Sequence, residues 1–197
     1  MAKSGEIAPL IRNLCAADPT KRTIAAGEIF TRGSAMARSA AEGWLAYPPL
    51  ASLLLRGSSC AIETTVGIAV EPETFERLRS ANRSPRLADV PPDQDAKEFE
   101  LEFPDGVRLD ILTTRQPGGP GAIARYLLKF GEGIQQVEFN VTDVDRATEI
   151  LRERFALEPI YPATRAGADG TRVNFFLVPR GDGGKVLVEL VEAAAKS

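Results

Sequence analysis

The sequence predicts an α+β protein in which a helical N-terminal segment precedes two similar units of strand, helix and antiparallel strands. Residues 1–60 are rich in alanine and carry apolar residues at loosely helical spacing. From about residue 62 the pattern alternates between strand-like and helix-like segments. The two units also begin alike, with Val66-Gly-Ile-Ala-Val before Glu-Pro-Glu and Val137-Glu-Phe-Asn-Val before Thr-Asp-Val. Such an internal repeat indicates a duplicated module.

The N-terminal segment is predicted to form two or three helices. Asp18 before Pro19 fits an N-cap followed by proline at the first helical position. Two prolines, Pro48 and Pro49, interrupt the pattern before a short apolar run over residues 50–55. Glycine lowers helix stability by about 1 kcal/mol relative to alanine, so we expect weak helix formation around three positions. These are Gly27, Gly33 and Gly43.

The first unit is predicted to start with a strand over residues 62–70 and a helix that ends near Ala81. After a proline-rich loop, Lys97-Glu-Phe-Glu-Leu-Glu-Phe alternates strictly between polar and apolar residues. This alternation is typical of a half-exposed strand. The turn Pro104-Asp-Gly then leads to a return strand over residues 107–113.

The second unit is predicted to follow a linker rich in glycine and proline and a helix over residues 122–130. Its first strand covers residues 133–141, and Thr142 or Asp143 caps a helix that ends near Phe155. Two further strands are predicted over residues 172–178 and 185–191. The order of elements in the first unit therefore recurs.

Composition and charge exclude several classes of function. The chain has 24 basic and 27 acidic residues, and no basic stripe interleaved with aromatic residues, so we expect no nucleic-acid partner. No segment approaches the ~20 apolar residues that span a bilayer, and the N-terminus lacks the apolar core of a secretory signal. The two cysteines, Cys15 and Cys60, lack metal-ligand spacing. We therefore predict a cytoplasmic protein with reduced thiols and no membrane association.

The absence of histidine constrains the chemistry most strongly. None of the 197 residues is histidine. Imidazole is the commonest metal ligand and the only unperturbed side chain that titrates near neutral pH. Any reaction or binding must therefore use carboxylates, amides, hydroxyls or the shape of a pocket.

Three segments of the second half share a family pattern. They are Asp110-Ile-Leu-Thr-Thr, then Lys129-Phe-Gly-Glu-Gly-Ile-Gln-Gln-Val-Glu-Phe-Asn-Val, and finally Gly184-Lys-Val-Leu-Val-Glu-Leu-Val-Glu. Together they resemble the methylmalonyl-CoA-epimerase-like members of the vicinal oxygen chelate (glyoxalase/bleomycin-resistance) superfamily. The resemblance covers about residues 62–192 and is strongest from residue 107 onward.

The resemblance implies two βαβββ modules whose sheets curl around a shared cavity. It divides the chain into a helical N-terminal extension, residues 1–60, and a vicinal oxygen chelate domain, residues 61–197. The modules lie at about 62–115 and 133–192, and a linker helix at about 119–130 joins them. It also implies a homodimer and a small-molecule ligand or substrate, with an acyl-CoA as one candidate.

The resemblance also implies a site built from four strands. In epimerase-like members a metal is held by two histidines, a glutamine or glutamate, and a glutamate. The two histidine positions fall on Thr65 and Gln136, and the other two fall on Asp110 and Glu189. Because side chains alternate along a strand, an inward Gln136 places Glu138 on the same face. A solvent-exposed antiparallel sheet has the same alternation, so the pattern permits a polar cavity without requiring one.

Two interpretations of this constellation remain open. An all-oxygen site formed by Thr65, Asp110, Gln136 and Glu189 suits a hard divalent cation, Mg²⁺, Mn²⁺ or Ca²⁺. Alternatively the metal was lost with the histidines, and the site uses no cofactor. Proton transfer next to a carbonyl needs a base and an acid, for which Asp110 and Glu189 are the first candidates and Glu138 the third.

The sequence therefore supports two main hypotheses of function. The first is an isomerase, epimerase or lyase that acts next to a carbonyl of a small molecule. The second is a protein of the same fold that binds or sequesters a small molecule without chemistry. A third hypothesis makes the helical extension an element that docks a partner, with the remaining domain as its scaffold.

Overall fold

The computed structural model describes residues 7–54 and 62–194, so Leu55 and Cys60 lie outside the described residues. The helices are α1 (Ala8–Asn13), α2 (Pro19–Leu45), α3 (Pro48–Leu54), α4 (Pro72–Ala81), α5 (Ala122–Phe130) and α6 (Val144–Phe155). The strands are β1 (Thr64–Ala69), β2 (Lys97–Glu102), β3 (Arg108–Thr113), β4 (Gly133–Val141), β5 (Arg165–Ala166), β6 (Arg172–Pro179) and β7 (Lys185–Glu192). Within these two described ranges, no helix is both long and apolar enough to cross a membrane.

The chain divides into two compact units. The first comprises Met1–Gly33 and Thr65–Gln135, and the second comprises Ser34–Thr64 and Gln136–Ser197. In the first unit β3 lies between β1, which is parallel to it, and β2, which is antiparallel. In the second unit the order is β4-β7-β6-β5, with β4 parallel to β7 and the other pairs antiparallel. The α+β class with two similar modules is confirmed; the proposed division at residue 60 stays a prediction.

The first unit packs one face of its sheet against helices. Val66 and Ile68 of β1, and Val70 just after this strand, are buried in a core with Leu109 and Ile111 of β3. Residues of α1 and of the first half of α2 complete this core: Leu10, Ile11, Leu14, Ala25, Ala26 and Ile29. Alternation along each strand leaves the intervening side chains on the opposite face. The second face of this sheet therefore carries Thr65 and Asp110.

The second unit repeats this arrangement with its own core. Val137, Phe139 and Val141 of β4 pack with Val188 and Leu190 of β7. The helices that cover them contribute Ala37, Trp44, Leu50, Leu54, Val144, Ala147, Ile150 and Leu151. Trp44 meets Phe139 edge to face, with ring centroids 5.8 Å apart. The side chains of α2 thus enter the core of each unit, the first half in one and the second half in the other.

Local signals placed most helix ends correctly. Asp18 accepts a hydrogen bond from the backbone N–H of Thr20 at 2.9 Å, and α2 begins at Pro19. Of the two predicted caps for α6, Asp143 performs this role, because its Oδ1 accepts from the Arg146 N–H at 2.9 Å.

Two predicted features differ in the structure. α2 continues through all three glycines for 27 residues, because tertiary packing outweighs their helix propensity. In addition, a two-residue strand, β5, was not predicted; it pairs with β6 through Arg165–Val173 and Ala166–Arg172. A segment this short has no periodicity from which a strand could be inferred.

Candidate functional site

The second unit has a sheet face with polar groups at its β4 edge. Gln136, Glu138 and Asn140 lie on the face of β4 opposite to the core residues Val137 and Phe139. Register continues this face across β7, where Leu187 is the partner of Gln136 and Glu189 the partner of Glu138. Gln136, Glu138 and Glu189 therefore lie on one face of this sheet, and their action in a common site stays a prediction.

Gln136 joins the two glutamates of this face. Its Nε2 donates to Glu138 Oε1 at 3.1 Å and to Glu189 Oε2 at 2.5 Å. Gln136 is 5% exposed and Glu189 is 9% exposed, whereas Glu138 is half-buried. Burial of a carboxylate is costly unless hydrogen bonds compensate for lost water. The amide supplies one such bond to each carboxylate and fixes their oxygens on one side of the sheet.

Apolar and aromatic side chains continue the same face along β6. Phe175 is the register partner of Glu189, and Leu177 is the partner of Leu187. Tyr161 meets Phe175 edge to face at 5.9 Å, and the guanidinium of Arg165 lies 4.6 Å from the centroid of the Tyr161 ring. The sequence around Tyr161 and Arg165 has no regular pattern from which their position could be predicted. We did not predict them as site residues.

Thr65 and Asp110 belong to the first unit, on the face of its sheet opposite to its core. Thr65 is 4% exposed, and Asp110 is half-buried. They lie on neighbouring strands, where Gly67 is the partner of Asp110 on β1. On β2 the partner of Asp110 is Glu100. Joint action of Thr65 and Asp110 with Gln136 and Glu189 stays a prediction.

The same face of the first unit carries two glutamates of β2 that were not predicted as site residues. Glu100 and Glu102 lie two residues apart on β2, and Arg108 is the register partner of Glu102. Desolvation raises the pKa of the Glu100 carboxyl group above 4.5. The nearby Arg108 cation lowers this pKa, and the charge and hydrogen bond of Glu102 raise it. The net direction is upward because desolvation is the largest contribution.

The raised pKa of Glu100 predicts a pH-dependent stability. The folded state holds this proton more tightly than the unfolded state, so its stabilisation is complete below the unfolded pKa near 4.5. It is lost as the pH rises through the folded value. We therefore expect Glu100→Gln to gain stability relative to wild type between pH 4 and pH 7, as measured by urea unfolding. Because the residue as a whole is exposed, the gain should be small.

Glu102→Gln provides the comparison for this prediction. It removes the neighbour that raises the pKa of Glu100, so the fall in wild-type stability over the same pH interval should shrink. Unfolding free energies of wild type and Glu100→Gln that differ by the same amount at pH 4 and pH 7 would contradict the assignment.

The donor set of the second unit does not fit a resident metal. A cation next to Glu189 would need the amide oxygen of Gln136, but the amide nitrogen faces both carboxylates. Across residues 7–54 and 62–194, no three His, Cys, Asp or Glu side chains are grouped so that they could hold an ion. Divalent ions also bind histidine-free sites best through several carboxylates. No step proposed below therefore runs through a metal.

Comparison with known proteins gives matches at the level of structure. No family model matches the chain, and no curated protein matches its sequence. A methylmalonyl-CoA epimerase from Mycobacterium tuberculosis is similar, with a TM-score of 0.55 and 29% identity over 72% of this chain and 94% of that chain. A Streptomyces coelicolor methylmalonyl-CoA epimerase variant, in complex with 2-nitronate-propionyl-CoA, has a TM-score of 0.53 and 26% identity over 70% and 100% of the two chains.

A methylmalonyl-CoA epimerase in complex with methylmalonyl-CoA and NH₄⁺ is similar to the same degree. Its TM-score is 0.53 and its identity 27%, over 70% of this chain and 97% of that chain. The aligned region covers almost the whole length of each of these three epimerases. The strand pairings of the two units and these matches agree with the family pattern of the three sequence segments. The chain therefore has the vicinal oxygen chelate fold in its methylmalonyl-CoA-epimerase-like form, as the resemblance of its sequence implied.

Proposed function

We propose that this protein is an epimerase-like isomerase that transfers a proton at the carbon next to the carbonyl of an acyl thioester. The observation that carries the proposal is the amide of Gln136, which holds Glu138 and Glu189 on one sheet face. The structural neighbours add support, since two of them are complexes with acyl-CoA compounds. A positioned carboxylate is a general base suited to removing a proton from such a carbon.

Each polar group of the face has a proposed role. Glu189 takes the α-proton, and the electron pair of the broken C–H bond moves onto the thioester oxygen. The side-chain amide of Asn140, on the same face of β4, donates a hydrogen bond to this enolate oxygen. Gln136 is a positioning residue, because it acts through the two carboxylates. Glu138 exchanges the captured proton with solvent, since it is more exposed than Glu189.

Return of the proton to the opposite side of the enolate needs a second acid. Asp110 is the group that the family pattern assigns, and we retain it as the proposed acid. Its carboxyl group is half-buried on β3. Asp110→Asn distinguishes the two halves of the reaction, because proton removal would continue while inversion at the carbon would slow.

The test is exchange at the α-carbon. Propionyl-CoA and methylmalonyl-CoA are incubated with the protein in deuterated water that contains a chelator, and deuterium uptake is followed by mass spectrometry. We expect uptake above the protein-free rate that the chelator does not reduce. Uptake that requires an added divalent ion would contradict a metal-independent site. Absence of uptake would contradict the proposal that this protein is an isomerase.

A non-catalytic binding function is the second candidate. It is favoured by the commitment of both Gln136 N–H groups to carboxylates, which leaves them unable to stabilise an enolate. Calorimetry distinguishes the two functions. Micromolar binding of an acyl-CoA without deuterium uptake would support the binding protein.

A further inference from the structure

Aromatic side chains form one side of the sheet face that carries Glu189. Phe175 on β6 is the register partner of Glu189 on β7, so their Cβ atoms lie about 5 Å apart on the same face. Tyr161 packs edge to face on the Phe175 ring, and the Arg165 guanidinium stacks on the Tyr161 ring. All three side chains are partly exposed. Phe175, Tyr161 and Arg165 together are called the aromatic wall below.

A ligand that meets Glu189 would also meet the aromatic wall. A general base must come within about 3 Å of the atom whose proton it removes. Neighbouring strands lie only about 4.8 Å apart, so an acyl thioester placed over Glu189 extends either over Phe175 or over Glu138. The Phe175 side is the apolar one, and aromatic rings offer a large contact area to a hydrocarbon chain.

The members of the aromatic wall are not held in place equally well. Phe175 belongs to β6, which pairs with β7 along its whole length. Tyr161 and Arg165 belong to the segment that connects α6 to β6. At its start, the Ile160 N–H donates to the Phe175 carbonyl at 2.7 Å. The next bond is longer, since Asn174 Nδ2 donates to the Tyr161 carbonyl at 3.4 Å, near the limit for a hydrogen bond.

Asp145 adds a hydrogen bond to this segment from α6, outside the sheet face. Its Oδ1 accepts from the hydroxyl of Thr164, which precedes Arg165 in the chain. Its Oδ2 accepts from Arg172, and Arg172 also pairs with Glu192 at 3.1 Å. The hydrogen bonds from Thr164 and Arg172 hold the pKa of the Asp145 carboxyl below its ordinary value, so the acceptor is charged at neutral pH. Because Asp145 and Arg172 are largely exposed, their pair contributes little to overall stability.

We infer that Asp145 is a positioning residue for ligand binding: through Thr164 it holds the aromatic wall in place, and the wall contacts the acyl thioester bound at Glu189. The inference rests on the proposed function for the class of ligand and for its position. Without the bond from Thr164, Tyr161 and Arg165 would spend more time away from Phe175. The apparent affinity for the ligand falls in proportion to the fraction of molecules whose binding surface is complete.

Thr164→Val tests the inference, because valine keeps the shape of threonine without its hydroxyl. Calorimetric titration with propionyl-CoA should give a dissociation constant about threefold to tenfold higher than that of wild type, the effect of one hydrogen bond. In the α-deuterium uptake assay, KM should rise by the same factor while the maximal rate stays within about twofold. Thr164→Ser keeps the hydroxyl and should restore wild-type binding.

Thr171→Val is the matched control for this variant. It removes the same hydroxyl group from the connection between β5 and β6, where Thr171 Oγ1 donates to the Ala168 carbonyl at 2.7 Å. This hydrogen bond does not involve Asp145, so the dissociation constant of propionyl-CoA should stay within about twofold of wild type.

Amide hydrogen exchange, followed by mass spectrometry of peptides, tests the contact with the ligand directly. Saturating propionyl-CoA should slow the exchange of residues 159–166 in the wild-type protein, because the bound ligand holds the segment against Phe175. Thr164→Val should speed up the exchange of the same residues when no ligand is present, since local opening becomes more frequent.

Several outcomes would overturn the inference. Wild-type affinity in Thr164→Val would do so, as would a bound ligand that leaves the exchange of residues 159–166 unchanged. An equal loss of affinity in Thr164→Val and Thr171→Val would also do so. Failure of propionyl-CoA to bind the wild-type protein would overturn the inference and the proposed function together. The expected differences in binding without α-deuterium uptake would reject only the isomerase, and uptake without these differences would reject only the inference.

Discussion

Gly33→Val is expected to lower the free energy of unfolding by about 3 kcal/mol or more, at the upper end of the cost of overpacking a core. Gly33 is buried in α2, and a Cβ atom there would lie within 2.7 Å of Val66 Cγ2. Val66 is fully buried on β1, and its short branched side chain has no room to move. Either the helix must shift away from the strand or the core must open. Denaturant unfolding followed by circular dichroism measures the loss.

Gly27→Val is the matched control for this prediction. It makes the same change in the same helix, but a Cβ atom at Gly27 would have no neighbour within 4 Å. Valine has a slightly better helix propensity than glycine, so stability should stay within about 0.5 kcal/mol of wild type. A second check combines Gly33→Ala with Val66→Ala, where the double variant should be more stable than additivity predicts. Equal effects at Gly33 and Gly27 would contradict the close-packing argument.

This contrast shows why α2 was hard to predict from the sequence. Local propensity treats Gly27, Gly33 and Gly43 as equivalent weak points in a helix. Only one of them is required by a tertiary contact, and that contact joins residues 33 positions apart along the chain. The strands were more predictable, since the alternation of Val137, Glu138 and Phe139 reports directly which side chains face the core.

The candidate site, too, was only partly predictable from the sequence. The face of Gln136, Glu138 and Glu189 follows from strand periodicity and the family pattern, and the structure places them together. The two hydrogen bonds that the Gln136 amide donates to Glu138 and Glu189 could not be predicted from the sequence, because they depend on the register of two strands about fifty residues apart. Nor did the alternation around Glu100 reveal a raised pKa, since that shift arises first from desolvation of the carboxyl group in the folded protein and then from the neighbouring Glu102.

Glu189→Gln is expected to lower the rate of α-deuterium uptake by roughly 10²–10⁴-fold, the usual contribution of a general base. An amide has almost the same shape as the carboxylate and keeps an oxygen that can accept from Gln136 Nε2. The fold should therefore remain, with a thermal unfolding midpoint within a few degrees of wild type. The uptake rate would then fall while the stability stayed nearly unchanged. A purely structural role of Glu189 would instead lower the stability.

Glu192→Gln is the matched control, because it makes the same chemical change on the same strand. Its side chain accepts from the Val144 N–H at 2.9 Å and pairs with Arg172 at 3.1 Å, away from the face of Glu189. Glutamine keeps an oxygen that can accept from Val144, but loss of the negative charge removes the ion pair with Arg172 and the favourable interaction with the N-terminus of α6, which should cost about 0.5–1 kcal/mol of stability. The uptake rate of this variant should stay within about twofold of wild type. An equal loss of rate in both variants would mean that the carboxylate of Glu189 supports the sheet and takes no proton from the substrate.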